Sequence, residues 1–243
     1  MDPTDSGLAP VNGLDLYWES YGSGGTPLIM LHGGYGRTTM FGDLPERLAR
    51  DRQVITVDLQ GHGRTADIDR PLTYEAMGDD IAALVEHLGL GQVDLLGYSL
   101  GGGAALRAAI QHPALIRRLV VVSTPFSSDG WYPDIRAQMK QMSSAGFDFM
   151  RQTPLYTDYA AVAPDPDDFP ALMDKMGALL RADYDWSAEV SAMAPQTMII
   201  FADGASVPIT YVAGMTDRYA FDSAVHHLGW DSRRLPQGID RDL

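Results

Sequence analysis

Apolar residues along the chain fall into two rhythms. Five short runs are almost continuously apolar: 27–31 (PLIML), 54–57 (VITV), 93–96 (VDLL), 119–122 (LVVV) and 197–201 (TMIIF). Such runs predict strands buried on both faces, because the in-and-out alternation of a strand disappears when helices cover both sides of its sheet. The segment 14–18 (LDLYW) does alternate, which predicts an early, half-exposed antiparallel strand.

Helical spacing fills the intervals. Residues 44–49, 74–88 and 102–111 read as helices, the second with Met77, Ile81, Leu84, Val85 and Leu88 on one stripe. Thr73 and Gly89 supply its start and stop signals. The alternation of buried strand and helix predicts an α/β domain with a mostly parallel sheet. After 119–122 the rhythm changes. From 125 to 195 no buried-strand run occurs, while methionines, aromatics and helix-period stretches such as 135–142 and 169–180 abound. This interval predicts a helical insertion over one end of the sheet, broken by a turn at 163–168 (APDPDD). The expected organisation is a first core part at 1–124, the insertion at 125–195 and a second core part at 196–243.

Composition narrows the function classes. A length of 243 residues fits one α/β domain. A formal net charge of −14 disfavours nucleic acid and anionic membrane surfaces as partners. With no cysteine, thiolate nucleophiles, disulfides and Cys-based metal sites are excluded. No metal site or cofactor is expected, since the histidines are scattered without ligand spacing. The acidic start Met1-Asp2-Pro3-Thr4-Asp5 differs from a signal peptide, so the expected compartment is the cytoplasm.

Three loops carry the candidate chemistry. Gly97-Tyr98-Ser99-Leu100-Gly101 follows an apolar strand and precedes an Ala-rich helix. Glycines two positions either side of a serine permit a strained strand-to-helix turn that projects the hydroxyl from the sheet edge, beside helix-terminal N–H groups. His32-Gly33-Gly34-Tyr35-Gly36 ends another strand. Acyl transfer needs a second N–H donor to the oxyanion from such a loop, and Gly34, then Tyr35, are the candidates. His32 is expected to hold the loop. In Asp58-Leu59-Gln60-Gly61-His62-Gly63-Arg64-Thr65, Asp58, His62 and Arg64 are placed to hydrogen-bond neighbouring loops.

These three motifs, in this order, resemble the α/β-hydrolase fold superfamily, in particular its small esterase- and lipase-like bacterial members with a helical cap. The likeness extends over about residues 11–207. It implies an α/β-hydrolase fold, Ser99 as nucleophile, Leu100 and Gly34 as oxyanion donors, and 125–195 as the cap that shapes a pocket. The methionines and aromatics of that cap favour a small apolar, ester-like substrate.

The resemblance also implies a later acid and a final histidine, and there the sequence departs from the family. In the turn after 197–201, Asp203 matches the first of two acids, but the catalytic position falls on Ala205. Aligning Leu235-Pro236 with the family's pre-histidine turn puts Asp240 where the histidine belongs. The C-terminal strand and helix read as shortened or missing, and the exposed edge would favour a homodimer. Asp129 is a candidate substitute acid, and His226 or His227 a candidate base. Three functions remain open: an impaired serine esterase, a non-hydrolytic enzyme such as a lyase, cyclase or isomerase, and a catalytically inactive ligand-binding relative.

Overall fold

The computed structural model describes residues 2–200. It opens with β1 (Asp5–Val11) and β2 (Leu14–Tyr21), an antiparallel hairpin turned at Asn12 and Gly13 with φ of 48° and 85°. Two successive left-handed residues match the twist of the flanking strands. The expected strand at 14–18 is thus the start of β2. Its partner β1 had no clear signature, because Gly7 and Pro10 interrupt it and only Ala9 and Val11 are buried.

All five apolar runs are strands: β3 (Leu28–Leu31), β4 (Val54–Val57), β5 (Val93–Tyr98), β6 (Ile116–Val122) and β7 (Gln196–Ile200). The seven lie in the order β1-β2-β4-β3-β5-β6-β7, with β2 antiparallel to β4 and all pairs from β4 to β7 parallel. Every position of β3 and β4 is buried, as a sheet covered on both faces requires.

Three helices accompany this part of the sheet: α1 (Leu44–Leu48), α2 (Tyr74–His87) and α3 (Leu100–Gln111). Thr73 Oγ1 accepts the Ala76 N–H at 3.0 Å and so caps α2. Gly89, at φ 63°, follows the C-terminal end of α2. The helix α3 begins at Leu100, two residues earlier than its apolar spacing indicates, so the chain reverses from strand to helix within one residue.

Between β6 and β7 lie α4 (Pro133–Met139), α5 (Phe147–Met150), α6 (Pro154–Ala160), α7 (Phe169–Arg181) and α8 (Ser187–Ala192). Phe169, fully buried, gathers the rings of Tyr35, Phe147, Tyr156 and Tyr159 at centroid distances of 4.9–6.2 Å. Two polar clamps fasten these helices to the sheet loops. Arg37 forks onto Asp158 of α6 at 2.7 and 2.5 Å. Lys175 of α7 meets Asp67 at 2.6 Å and donates to the carbonyls of Ile68 and Arg70. Among the described residues, no helix is long and apolar enough to cross a membrane.

Candidate active site

In a parallel sheet the loops after neighbouring strands share one edge, where ligands bind in this architecture. Here the loops after β3, β4, β5 and β6 meet around Ser99. Ser99 adopts φ 50° and ψ −114° between the end of β5 and the first residue of α3. A non-glycine residue in that region stores strain, of order 1–3 kcal/mol, and persists only where its surroundings over-determine it. They do so here. Ser99 N–H donates to Val122 O at 2.9 Å, and Ser99 O accepts from Thr124 Oγ1 at 2.6 Å. Gly101 N–H donates to His32 O at 3.0 Å. The flanking glycines are obligatory: a Cβ on Gly97 would strike the Gly101 carbonyl, and one on Gly101 would stand 2.6 Å from His32 O.

The loop after β3 lies against this turn. A Cβ on Gly33 would come within 3.4 Å of Ser99 Cβ. His32 is fully buried, and its Nε2 accepts the Leu59 N–H at 3.1 Å. The proton therefore sits on Nδ1, which donates to Gly33 O at 2.7 Å. Burial, with His62 close by, holds the His32 pKa down at about 3, so the ring is a neutral strut, as expected from the sequence. Gly36 N–H closes a turn onto Gly33 O at 3.0 Å, with Tyr35 at φ 60° in its third position.

That turn decides which donors remain available. Gly33 N–H points to Met40 Sδ at 3.4 Å and is occupied. Among the described residues, the N–H groups of Gly34, Tyr35 and Leu100 have no hydrogen-bond partner. Gly34 is covered by α7, since a Cβ there would come 2.7 Å from Met176 Cε.

The loop after β4 braces the other two. Asp58, buried, accepts from Thr38 N–H at 2.7 Å and Arg64 N–H at 2.8 Å. Burial outweighs these bonds and raises its pKa to about 6. His62 Nδ1 lies 2.8 Å from Gln60 O, and burial pushes its pKa down to about 4. Among the described residues its Nε2 has no partner.

No described histidine is placed to serve Ser99 as a base. His32 and His62 are buried in loop contacts, His112 pairs with Asp79 at 2.8 Å, and His87 is exposed at the end of α2. The substitute acid considered from the sequence, Asp129, sits in a 3-10 turn with its side chain 87% exposed and bound to Arg136 at 2.7 Å. It is a surface ion pair, because the turn at Ser127 directs the carboxylate toward α4. Asp203, Ala205, His226, His227 and Asp240 lie outside the described residues. Among the described residues no cluster of histidines and acids could hold a metal ion. Thr124 and Met40 were missed in the sequence, since each matters through a contact made only by the fold.

A family model described as alpha/beta hydrolase fold matches residues 26–227. The chain belongs to the α/β-hydrolase fold family. Within the family it is 34% identical over 119 residues to the sn-1-specific diacylglycerol lipase ABHD11 of Danio rerio, covering 48% of this chain and 37% of that one. It is 34% identical over 128 residues to the pimeloyl-[acyl-carrier protein] methyl ester esterase of Sodalis glossinidius, covering 52% and 48% respectively. The chain thus spans about a third to a half of the length of these curated relatives. Among solved structures, MGS-M2, an alpha/beta hydrolase enzyme from a Medee basin deep-sea metagenome library, superposes with a TM-score of 0.69 at 18% identity. That likeness covers 97% of this chain and all of the other, and shows the fold.

Proposed function

We propose that this α/β-hydrolase family member is a serine hydrolase that cleaves small apolar carboxylic esters. The carrying observation is Ser99 held at a strained φ of 50° beside three N–H groups, those of Gly34, Tyr35 and Leu100, that have no hydrogen-bond partner among the described residues. The lipase and esterase relatives support an ester as substrate.

In this reading Ser99 Oγ attacks the ester carbonyl carbon while its proton passes to a base. The carbonyl oxygen becomes an oxyanion stabilised by the Leu100 and Gly34 N–H groups, with Tyr35 N–H as the alternative second donor. Collapse of the intermediate expels the alcohol, which takes the proton, and leaves an acyl-enzyme that water hydrolyses. The helices of 125–195 act as the cap, and Met176 over Gly34 limits the space beside the oxyanion.

We assign the role of base to a histidine of residues 201–243. Of the six histidines, the four described ones are otherwise placed, which leaves His226 and His227. Asp203 is the nearest acid to the family's position, with Ala205 and Asp240 where the usual acid and base would stand. Turnover is therefore slow, since loss of triad members costs roughly 10⁴–10⁶ in rate. The test is hydrolysis of p-nitrophenyl butyrate: activity should vanish in Ser99→Ala. Activity that survives the substitution would favour a reaction without an acyl-enzyme.

A further inference from the structure

With no cysteine in the chain, its twelve methionines carry all of the sulfur. Three of them close on one loop, the Gly33–Gly36 turn that holds the N–H groups of Gly34 and Tyr35. Met40 Sδ accepts the Gly33 N–H at 3.4 Å, Met142 Sδ accepts the Tyr35 O–H at 3.9 Å, and Met176 Cε covers Gly34. Met176 is buried, whereas Met40 and Met142 are half-buried, so solvent reaches part of each.

Met40 has little room to change. A Cβ on Gly36 would strike its Cε and stand 3.0 Å from its Sδ, so the loop rests directly on the thioether. Its own backbone is held as well. In the 3-10 turn Thr38–Phe41, Thr38 N–H is bound by Asp58 at 2.7 Å and Met40 N–H donates to Arg37 O at 2.9 Å. Oxidation to the sulfoxide turns an apolar side chain into a larger, polar one. The added oxygen needs space beside Gly33 and Gly36, so the loop must shift, and Gly34 and Tyr35 shift with it. Met142 differs, because the group that faces its sulfur is a rotatable hydroxyl, which can follow a sulfoxide oxygen without moving the main chain.

Hydrogen peroxide is the oxidant this chemistry requires. A lone pair of Met40 Sδ attacks one peroxide oxygen, and the S–O bond forms as the O–O bond breaks. The departing hydroxide takes the proton of the transferred oxygen and leaves as water, the sulfur losing two electrons and the peroxide gaining them. We propose that Met40 is a reversible, peroxide-sensitive modification site whose sulfoxide displaces the Gly33–Gly36 loop and switches off the site at Ser99. The loss of turnover rests on the ester chemistry proposed for Ser99, whereas the displacement of the loop does not.

The test treats the full chain with hydrogen peroxide at concentrations that leave its circular dichroism spectrum unchanged, and locates sulfoxides by peptide mass spectrometry. Amide hydrogen exchange at residues 33–36 and turnover of p-nitrophenyl butyrate are then followed together. As Met40 oxidises, exchange should rise several-fold and turnover should fall roughly tenfold or more. Methionine sulfoxide reductases should restore both. Met40→Leu, compared with the same variant untreated, should not respond to peroxide in either readout, whereas Met142→Leu should respond as the unaltered chain does. Met40 left unoxidised, exchange or turnover unchanged once it is oxidised, or a full response in Met40→Leu overturns the proposal. An unaltered chain that turns over no ester would contradict the reading of Ser99 instead, and the exchange at residues 33–36 would then decide this one.

Discussion

The N–H of Gly101 donates to the main-chain oxygen of His32 at 3.0 Å. The turn that carries Ser99 and the loop that carries Gly34 are thereby fastened by backbone alone, with no side chain to adjust if either moves. A Cβ at position 101 would stand 2.5 Å from the Leu31 carbonyl carbon and 2.6 Å from His32 O. Gly101→Ala should therefore destabilise the fold by about 2–4 kcal/mol, since neither neighbour can yield. Urea denaturation measures it, and wild-type stability in the variant would contradict this fastening.

Three buried groups respond to acid in opposite directions. Burial depresses His32 to about 3 and His62 to about 4 from 6.5, and raises Asp58 to about 6 from 3.8. A histidine with a lowered folded pKa takes up a proton on unfolding, so its contribution is full at neutral pH and lost as pH falls below about 6.5. A carboxyl with a raised folded pKa acts the other way, losing stability as pH rises from about 4 to 6. Between those limits two histidine protons gained on unfolding oppose one carboxyl proton released. The three groups together make stability rise with pH by about 1.4 kcal/mol per unit. Asp58→Asn removes the opposing carboxyl, so its stability should depend on pH about one proton more steeply than wild type. Urea titrations at pH 4.5, 5.2 and 6.0 test this, and an equal or shallower slope would refute it.

Arg37 and Asp158 join the loop after β3 to α6 with two parallel bonds. The aspartate is 46% exposed, so solvent screens the pair and its loss should cost less than about 1 kcal/mol globally. Locally the effect should be larger. Amide hydrogens of α6 should exchange several-fold faster in Asp158→Asn, while those of β3 to β6 stay unchanged. Exchange in α6 at the wild-type rate would show that the aromatic cluster around Phe169 holds this helix without the clamp.

Met176 offers a handle on the space beside Gly34. It is buried, and its Cε closes over that glycine. Met176→Ala should cost about 2–5 kcal/mol in stability. It should also shift ester preference toward longer or branched acyl chains. A p-nitrophenyl ester series that keeps its order of kcat/KM in the variant would remove Met176 from the pocket.

Much of this architecture was legible in the sequence, because apolar runs, helical spacing and the Thr73 cap are local signals. The five buried strands, α2 and the strained turn at Ser99 follow from residues close together in the chain. What escaped was non-local or weakly patterned. β1 hides behind a glycine and a proline and is visible only as the partner of β2. Thr124 looks like any residue after a strand, yet it holds the Ser99 carbonyl. Asp129 drew attention by its place after β6, but Arg136, seven residues on, captures its carboxylate. The loop motif named Gly34 and Tyr35 as candidate donors, whereas the occupation of Gly33 N–H by Met40 was not readable from it.

The proposed chemistry makes Ser99 a nucleophile served by a base beyond residue 200. Its most direct test is the rate of covalent labelling by a fluorophosphonate probe, located by peptide mass spectrometry. Slow, saturable modification is expected at Ser99, lost in Ser99→Ala and strongly reduced in one of His226→Ala and His227→Ala. Folded protein that takes no label at Ser99, or labelling at the same rate in both histidine variants, would contradict it.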